Sequence, residues 1–187
     1  HKSAIYNLGL MHHYGHFGKI NGQNNYKKSL EYFYKCSELK NVLCYYMIGA
    51  HYEWGLAVEM NKKKAFSWYL KAAEEENSSA VQRVGDFYSN GIVKEKDYSK
   101  AKDWYLKGHQ LGNIQSTYSL GYLYSVGWGV KKDINKAFEY YKIAHLGGEV
   151  RATYNIGVFY DRGYFEKGID HIKAAEWYLK AAEKDYP

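Results

Sequence analysis

One proline in 187 residues leaves little room for disordered linkers, and 46% hydrophobic content with 18% aromatics is ample for a continuous core. No apolar run approaches the roughly 18 residues of a membrane-spanning helix. A charged-then-apolar leader with a cleavage site is also missing. The chain opens at His1, already close to a helix, and closes at Pro187 directly after one. It is therefore expected to be a fragment of a longer protein whose targeting signals lie elsewhere. Nucleophile elbow, phosphate loop and zinc-protease motif are all absent, so catalysis is not expected and no cofactor is implied. The basic residues form no block: 26 Lys and Arg are interleaved with 20 Asp and Glu, for a net charge of +6. Phosphate-binding surfaces need clustered cations, so nucleic acid is not the expected partner.

What the chain does contain is a period. Gly49, Gly85, Gly121 and Gly157 follow one another at intervals of 36 residues, and Gly9 stands 40 residues ahead of the first. A repeat of that size denotes stacked supersecondary units in one quasi-linear domain over 1–187, with repeats at 1–40, 41–76, 77–112, 113–148 and 149–187. One residue before each glycine stands Leu8, Ile48, Val84, Leu120 or Ile156. Three residues after it stands His12, Tyr52, Tyr88, Tyr124 or Tyr160, and five before it a small side chain, Ala4, Cys44, Ala80, Ser116 or Ala152. These spacings mark one face of a helix, helix A. A second glycine, Gly15, Gly55, Gly91, Gly127 or Gly163, falls where a left-handed cap would end it.

Helix B opens on Asn25, Asn61, Asp97, Asp133 or Asp170, residues whose side-chain oxygens accept from free amides of the first turn. A lysine follows three positions later (Lys28, Lys64, Lys100, Lys136, Lys173), then a small residue (Ser29, Ala65, Ala101, Ala137, Ala174). Three further on stands a large ring, Tyr32, Trp68, Trp104, Tyr140 or Trp177, followed by another aromatic. A small contact residue with a large ring one turn along lets neighbouring helices interlock. The extra residues of the first and fifth units, Asn21 to Asn24 and near Lys167 and Gly168, fall in the A to B loops, where added length costs little.

The strings Leu120-Gly121-Tyr122-Leu123-Tyr124, Gly127-Trp128-Gly129-Val130-Lys131-Lys132-Asp133 and Lys64-Ala65-Phe66-Ser67-Trp68-Tyr69-Leu70-Lys71-Ala72-Ala73 resemble the SEL-1-like repeat family. The resemblance runs in register through nearly the whole chain. His12 in place of tyrosine and Asn61 in place of aspartate depart from the pattern. It implies an all-α fold, a right-handed α/α superhelix (solenoid) of five helical hairpins related to tetratricopeptide repeats. Members act as adaptors in endoplasmic-reticulum quality control, in bacterial interactions with host cells and in chitin synthase activation in fungi, so the resemblance implies a function class and no named partner.

Cys36 and Cys44 sit at a junction whose equivalents are the small pairs Ala72 with Ala80, Gly108 with Ser116 and Ala144 with Ala152. Two readings stand. The resemblance to secreted cysteine-rich bacterial members implies a disulfide, which a contact with Cα atoms about 4.4–6.8 Å apart would allow. Cysteine also serves as a small buried hydrophobe in place of alanine. A bridge would indicate a secreted, periplasmic or endoplasmic-reticulum location, and free thiols the cytoplasm. His12, His13 and His16 point in different directions and lack further ligands, so no metal site is expected. The Glu74, Glu75 and Glu76 run reads as a solvated helix end.

Positions three before, one after and five after the glycine lie opposite the core face of helix A. In tetratricopeptide-like solenoids this stripe lines the concave partner-binding surface. Here it carries Tyr6, Tyr46, Gln82, Tyr118 and Tyr154, then Asp86 and Tyr122, then Tyr14, Trp54, Asn90 and Arg162. Tyrosine and tryptophan supply large, rigid contact area at low entropy cost, which favours a protein or peptide partner. The expected function is therefore a non-catalytic interaction scaffold. The alternative is a secreted cysteine-containing bacterial repeat protein, an effector or ligand-binding module, with a β-lactam hydrolase as its remoter form. Trp177, Tyr178 and Leu179 in the last helix B have no following repeat in this sequence, so either further repeats or self-association is expected to cover them.

Overall fold

A computed structural model describes residues 1–16, 24–93, 95–165 and 168–184, and every regular element among them is an α-helix. Asn21, Lys167 and Pro187, which figured above in loops and at the chain end, lie outside the described residues. The chain divides into two compact units, His1–Glu95 and Lys96–Pro187. The first holds α1 (Lys2–His13), α2 (Tyr26–Glu38), α3 (Val42–Trp54), α4 (Lys62–Glu74) and α5 (Ser78–Asn90). The second holds α6 (Tyr98–Gln110), α7 (Ile114–Val126), α8 (Ile134–Leu146), α9 (Val150–Asp161) and α10 (His171–Ala182). Odd-numbered helices are the A helices and even-numbered ones the B helices. Within each unit every helix packs against its neighbours in sequence.

Local chemistry sets these helices. The side chains of Asn25, Asn61, Asp97, Asp133 and Asp170 accept from the backbone N–H of Lys28, Lys64, Lys100, Lys136 and Lys173 at 2.9–3.0 Å, so each recurrent lysine is the third helical residue. A second set of caps starts the A helices: Asn41, Asn77, Asn113 and Glu149 accept from the N–H of Leu43, Ala80, Ser116 and Arg151. Ahead of each cap one residue turns the chain in the left-handed region, Lys40 (φ 54°), Glu76 (φ 60°), Gly112 (φ 75°) and Gly148 (φ 89°). Glu76 therefore ends the acidic run in a conformation that suits glycine. Cys36 at the end of α2 is bonded to Cys44 at the start of α3, with Cα atoms 6.0 Å apart.

The glycines of the 36-residue ladder lie inside helices, where conformational freedom is of no use. Their value is the missing Cβ. One built on Gly49 would stand 2.8 Å from the Tyr69 ring, on Gly121 2.7 Å from Tyr141, and on Gly157 2.7 Å from Tyr178. Phe33 occupies the same place over Gly9. At these four glycines the interlocking ring is therefore the second aromatic of the helix B pair, not the first as the spacing suggested. The first ring reaches the B helix of the preceding repeat: Trp68 meets Tyr34 edge-on at 6.0 Å and Trp177 meets His145 at 4.9 Å. A parallel shift occurs in helix A. The tyrosines three past the glycine are half-buried, while the residues one earlier, His51, Phe87, Leu123 and Phe159, are buried.

Helix propensity alone makes Gly→Ala in a helix interior stabilising by about 1 kcal/mol, whereas overpacking a filled core costs about 1–3 kcal/mol. Tyr141 is 1% exposed and has no space into which to retreat. Gly121→Ala is thus expected to lower stability by up to about 2 kcal/mol in denaturant unfolding, and a gain would contradict the ring-on-glycine contact. Glu76→Gly, which relieves a left-handed non-glycine residue, is expected to raise stability by up to about 1 kcal/mol in the same assay.

Candidate interaction surface

The stripe residues stand on the glycine notch. With the ring of helix B seated on helix A, the tyrosine three before the glycine lies tilted against that ring. Tyr46 meets Tyr69 at 5.4 Å and Tyr6 meets Phe33 at 6.1 Å in the first unit. Tyr118 meets Tyr141 at 5.7 Å and Tyr154 meets Tyr178 at 5.2 Å in the second. These tyrosines are therefore supported from behind and open in front. Further along the helices the stripe becomes fully accessible: Tyr14 is 61% and Trp54 63% exposed, and Asn90, Tyr122 and Arg162 are exposed as well. Lys62 lies over the Trp54 indole at 5.3 Å.

Beneath the first unit's stripe is a buried charge that the sequence reading passed over. Glu53, 2% exposed on α3, accepts from the Tyr69 hydroxyl of α4 at 2.8 Å and from the Arg83 guanidinium of α5, with Lys62 at 3.6 Å. Arg83 also donates to Asp86 at 3.0 Å, and Gln82 donates to the same carboxylate. A buried carboxylate is tolerated only when its lone pairs are satisfied, and here donors from the two following helices satisfy them. Burial, followed by the Glu53 charge, pushes the Tyr69 phenol far up. Burial works against charge on Arg83, but Glu53 and Asp86 together outweigh it and raise its pKa. The signal in the sequence was a polar residue four past each glycine: His13, Glu53, Ser89, Ser125 and Asp161. Ser125 plays the Glu53 part more weakly, with its hydroxyl 3.4 Å from that of Tyr141.

In the second unit the buried carboxylate is Glu149, which caps α9 and accepts from Gln115 at 2.6 Å and from Arg151 at 2.8 and 2.9 Å. Burial raises its pKa, yet the Arg151 and Gln115 donors prevail and hold it below the usual carboxylate range. The Arg151 guanidinium lies over Tyr118 at 4.4 Å, which ties this cluster to the stripe. A surface cavity of about 520 Å³ lies beside Asn135, Tyr160, Tyr164, Asp170 and Lys173. Asp170, the carboxylate among its described lining residues, caps α10 and is paired with Lys173.

Of the three early histidines, His12 stacks on Tyr32 at 5.5 Å and His16 is exposed. His13 faces His51 of α3, with Nδ1 to Nε2 at 3.4 Å. His51 is fully buried, and its Nδ1–H donates to the Leu56 carbonyl at 2.8 Å, which leaves Nε2 as the acceptor from His13. Phe33 and Tyr26 close around the pair edge-on. Burial pushes His51 down to about 4, with the Leu56 carbonyl opposing and His13 assisting, and burial likewise lowers His13. Among the described residues no group of three or more His, Cys, Asp or Glu side chains could hold a metal ion.

The Sel1 repeat family model matches residues 2–41, 42–77, 78–113, 114–145 and 150–186. Among solved structures, a Sel1 repeat protein from Oxalobacter formigenes is 30% identical with a TM-score of 0.85, over 98% of this chain and 73% of that one. A protective antigen of uropathogenic Escherichia coli strains displaying an SLR fold is 28% identical with a TM-score of 0.85. This chain is covered over 98% of its length there and spans only 38% of that antigen. Helicobacter pylori cysteine rich protein B is 29% identical with a TM-score of 0.55, over 69% of this chain and 92% of that one. No curated protein matches the sequence.

The buried histidine pair makes stability depend on pH. The unfolded chain titrates the His51 imidazole near 6.5 and the folded chain near 4, so between these values the unfolded state binds more protons. Stability is complete above about pH 6.5 and falls as pH drops through the folded value, by about 1.4 kcal/mol per pH unit within the window. Urea unfolding at several pH values is expected to show this slope, reduced in a His51→Leu variant. A flat profile from neutral pH down to about 5 would contradict the neutral pair.

Proposed function

Because the chain belongs to the Sel1 repeat family, we propose that it is a non-catalytic scaffold whose helix A stripe holds a segment of a protein or peptide partner. Sel1 repeat proteins are generally protein-interaction scaffolds. The observation that carries the finer reading is the combination of support and exposure along the stripe. Tyr46 and Tyr118 are backed by rings seated on glycine, while Trp54 and Tyr122 stand exposed on the same helices. Rings held from behind lose little entropy on binding, the property that makes Tyr and Trp effective contact residues. Gln82, Asp86 and Asn90 supply hydrogen-bonding groups in the first unit, and Arg162 a cation in the second.

The Cys36 to Cys44 bond favours a second reading of where the scaffold works, in an oxidising compartment: secreted, periplasmic or the endoplasmic-reticulum lumen. A secreted cysteine-containing bacterial repeat protein fits that bond and the likeness to the Helicobacter pylori protein. It changes the compartment and leaves the mode of binding as proposed. No helix of the described residues is long and apolar enough to cross a membrane.

Alanine at Tyr46, Trp54, Tyr118 and Tyr122 together is expected to abolish capture of partners from the native source while leaving the far-UV circular dichroism of the helices intact. Undiminished capture by that folded variant overturns the stripe as the binding surface.

A further inference from the structure

One exposed aromatic of the second unit lies outside the helix A pattern. Trp128 follows Gly127 and precedes Gly129, both in the left-handed region (φ 84° and 69°). Gly129 is seated against the first turn of α6, so closely that a Cβ on it would stand 2.5 Å from the Tyr98 carbonyl carbon. The loop is thereby pinned, and the indole with it. Trp128 lies along the Tyr98 ring at 4.7 Å and 30°, and meets Tyr122 nearly perpendicularly at 5.6 Å and 83°. Both members of this corner remain open, Trp128 at 43% and Tyr122 at 40% exposure. The equivalent positions in the other repeats are His16, Leu56, Ile92 and Tyr164, so the indole belongs to this repeat and not to the framework.

The chemistry of the corner narrows what it takes. The rings touch one another and leave no cage between them for a methylated ammonium, and the exposed Lys131 and Lys132 of the same loop repel a cation. Two flat apolar faces at right angles fit compact apolar rings. Neither the indole N–H nor the Tyr122 hydroxyl donates a hydrogen bond to another described residue, so both donors are open to a ligand carbonyl. A polyproline II segment presents both partners at once, proline rings and carbonyls with no internal hydrogen bonds, in a helix already ordered before binding. The loop lysines match acidic residues flanking such a segment.

We propose that Trp128 and Tyr122, with Tyr98 as the base of the indole, form a docking corner for a proline-rich segment in polyproline II conformation with acidic flanks. The inference rests on the scaffold reading through Tyr122, which the stripe and the corner share. Fluorescence polarisation with a labelled polyproline peptide carrying glutamate flanks tests it, with a glycine–serine peptide of equal length and charge as control. Saturable binding of the polyproline peptide alone is expected, weakened at least about tenfold by Tyr122→Ala or Trp128→Ala. Trp128→Phe keeps a ring on Tyr98 but lacks the N–H, and is expected to weaken binding by about fivefold. Equal affinity for both peptides overturns the proposal, as does native affinity in the folded Tyr122→Ala and Trp128→Phe variants. If polyproline fails to bind while the stripe still captures its partner, only this inference falls. If polyproline binds through Trp128 while the stripe variant still captures its partner, only the stripe reading falls.

Discussion

An aromatic ring of helix B lying on a glycine of helix A is the contact from which the other features follow. Without a Cβ at Gly49, Gly121 or Gly157, the ring of Tyr69, Tyr141 or Tyr178 lies directly on the helix backbone. That close approach decides how far the stripe tyrosines are lifted, since Tyr46, Tyr118 and Tyr154 rest tilted against those rings. It also decides where the phenolic hydroxyls of the inner tyrosines end up, which is four residues past the glycine: at Glu53 in one unit and near Ser125 in the other. One missing methyl group thus determines a packing distance, the seat of a tyrosine stripe and a buried polar contact.

The two units use the same framework for different surface chemistry. In the first, Glu53 is compensated by Tyr69 and Arg83, and Arg83 in turn holds Asp86 on the stripe. Removing Arg83 would leave Glu53 buried without its closest cation, a far larger loss than an exposed ion pair represents. In the second unit the buried Glu149 orients Arg151 over Tyr118, and the loop carrying Trp128 adds an aromatic corner beside Tyr122. Amide and carboxylate groups accompany the aromatic rings of one surface, and cations accompany those of the other. Repeats that share a backbone can therefore present different surfaces, because residues off the core are free to vary.

Much of the framework was legible in the residues alone because its signals are short-range. A helix cap joins an oxygen to an amide three residues on, so Asn25, Asn61, Asp97, Asp133 and Asp170 could be recognised from sequence spacing. The glycines ending the A helices are local in the same sense. The caps at Asn41, Asn77 and Asn113 obey the same physics and are equally local, although they lie outside the core periodicity.

Other features depended on where distant segments meet. Two adjacent aromatics on helix B point about 100° apart, and periodicity cannot say which of them faces a helix more than a dozen residues away. The tertiary contact assigns Tyr69 and Tyr141 to glycine and leaves Trp68 and Tyr140 for neighbouring repeats. Glu53 reads as an ordinary surface residue until Arg83, 30 residues on, is brought to it. His51 becomes a neutral buried imidazole only because Phe33, Tyr26 and His13 enclose it. Period, caps and helix ends are therefore written in the amino-acid order, since bonds within four residues make them. The orientation of each ring, the compensation of each buried charge and the open aromatic corner arise from packing, where the cost of leaving a group unpaired is settled by segments far apart in the chain.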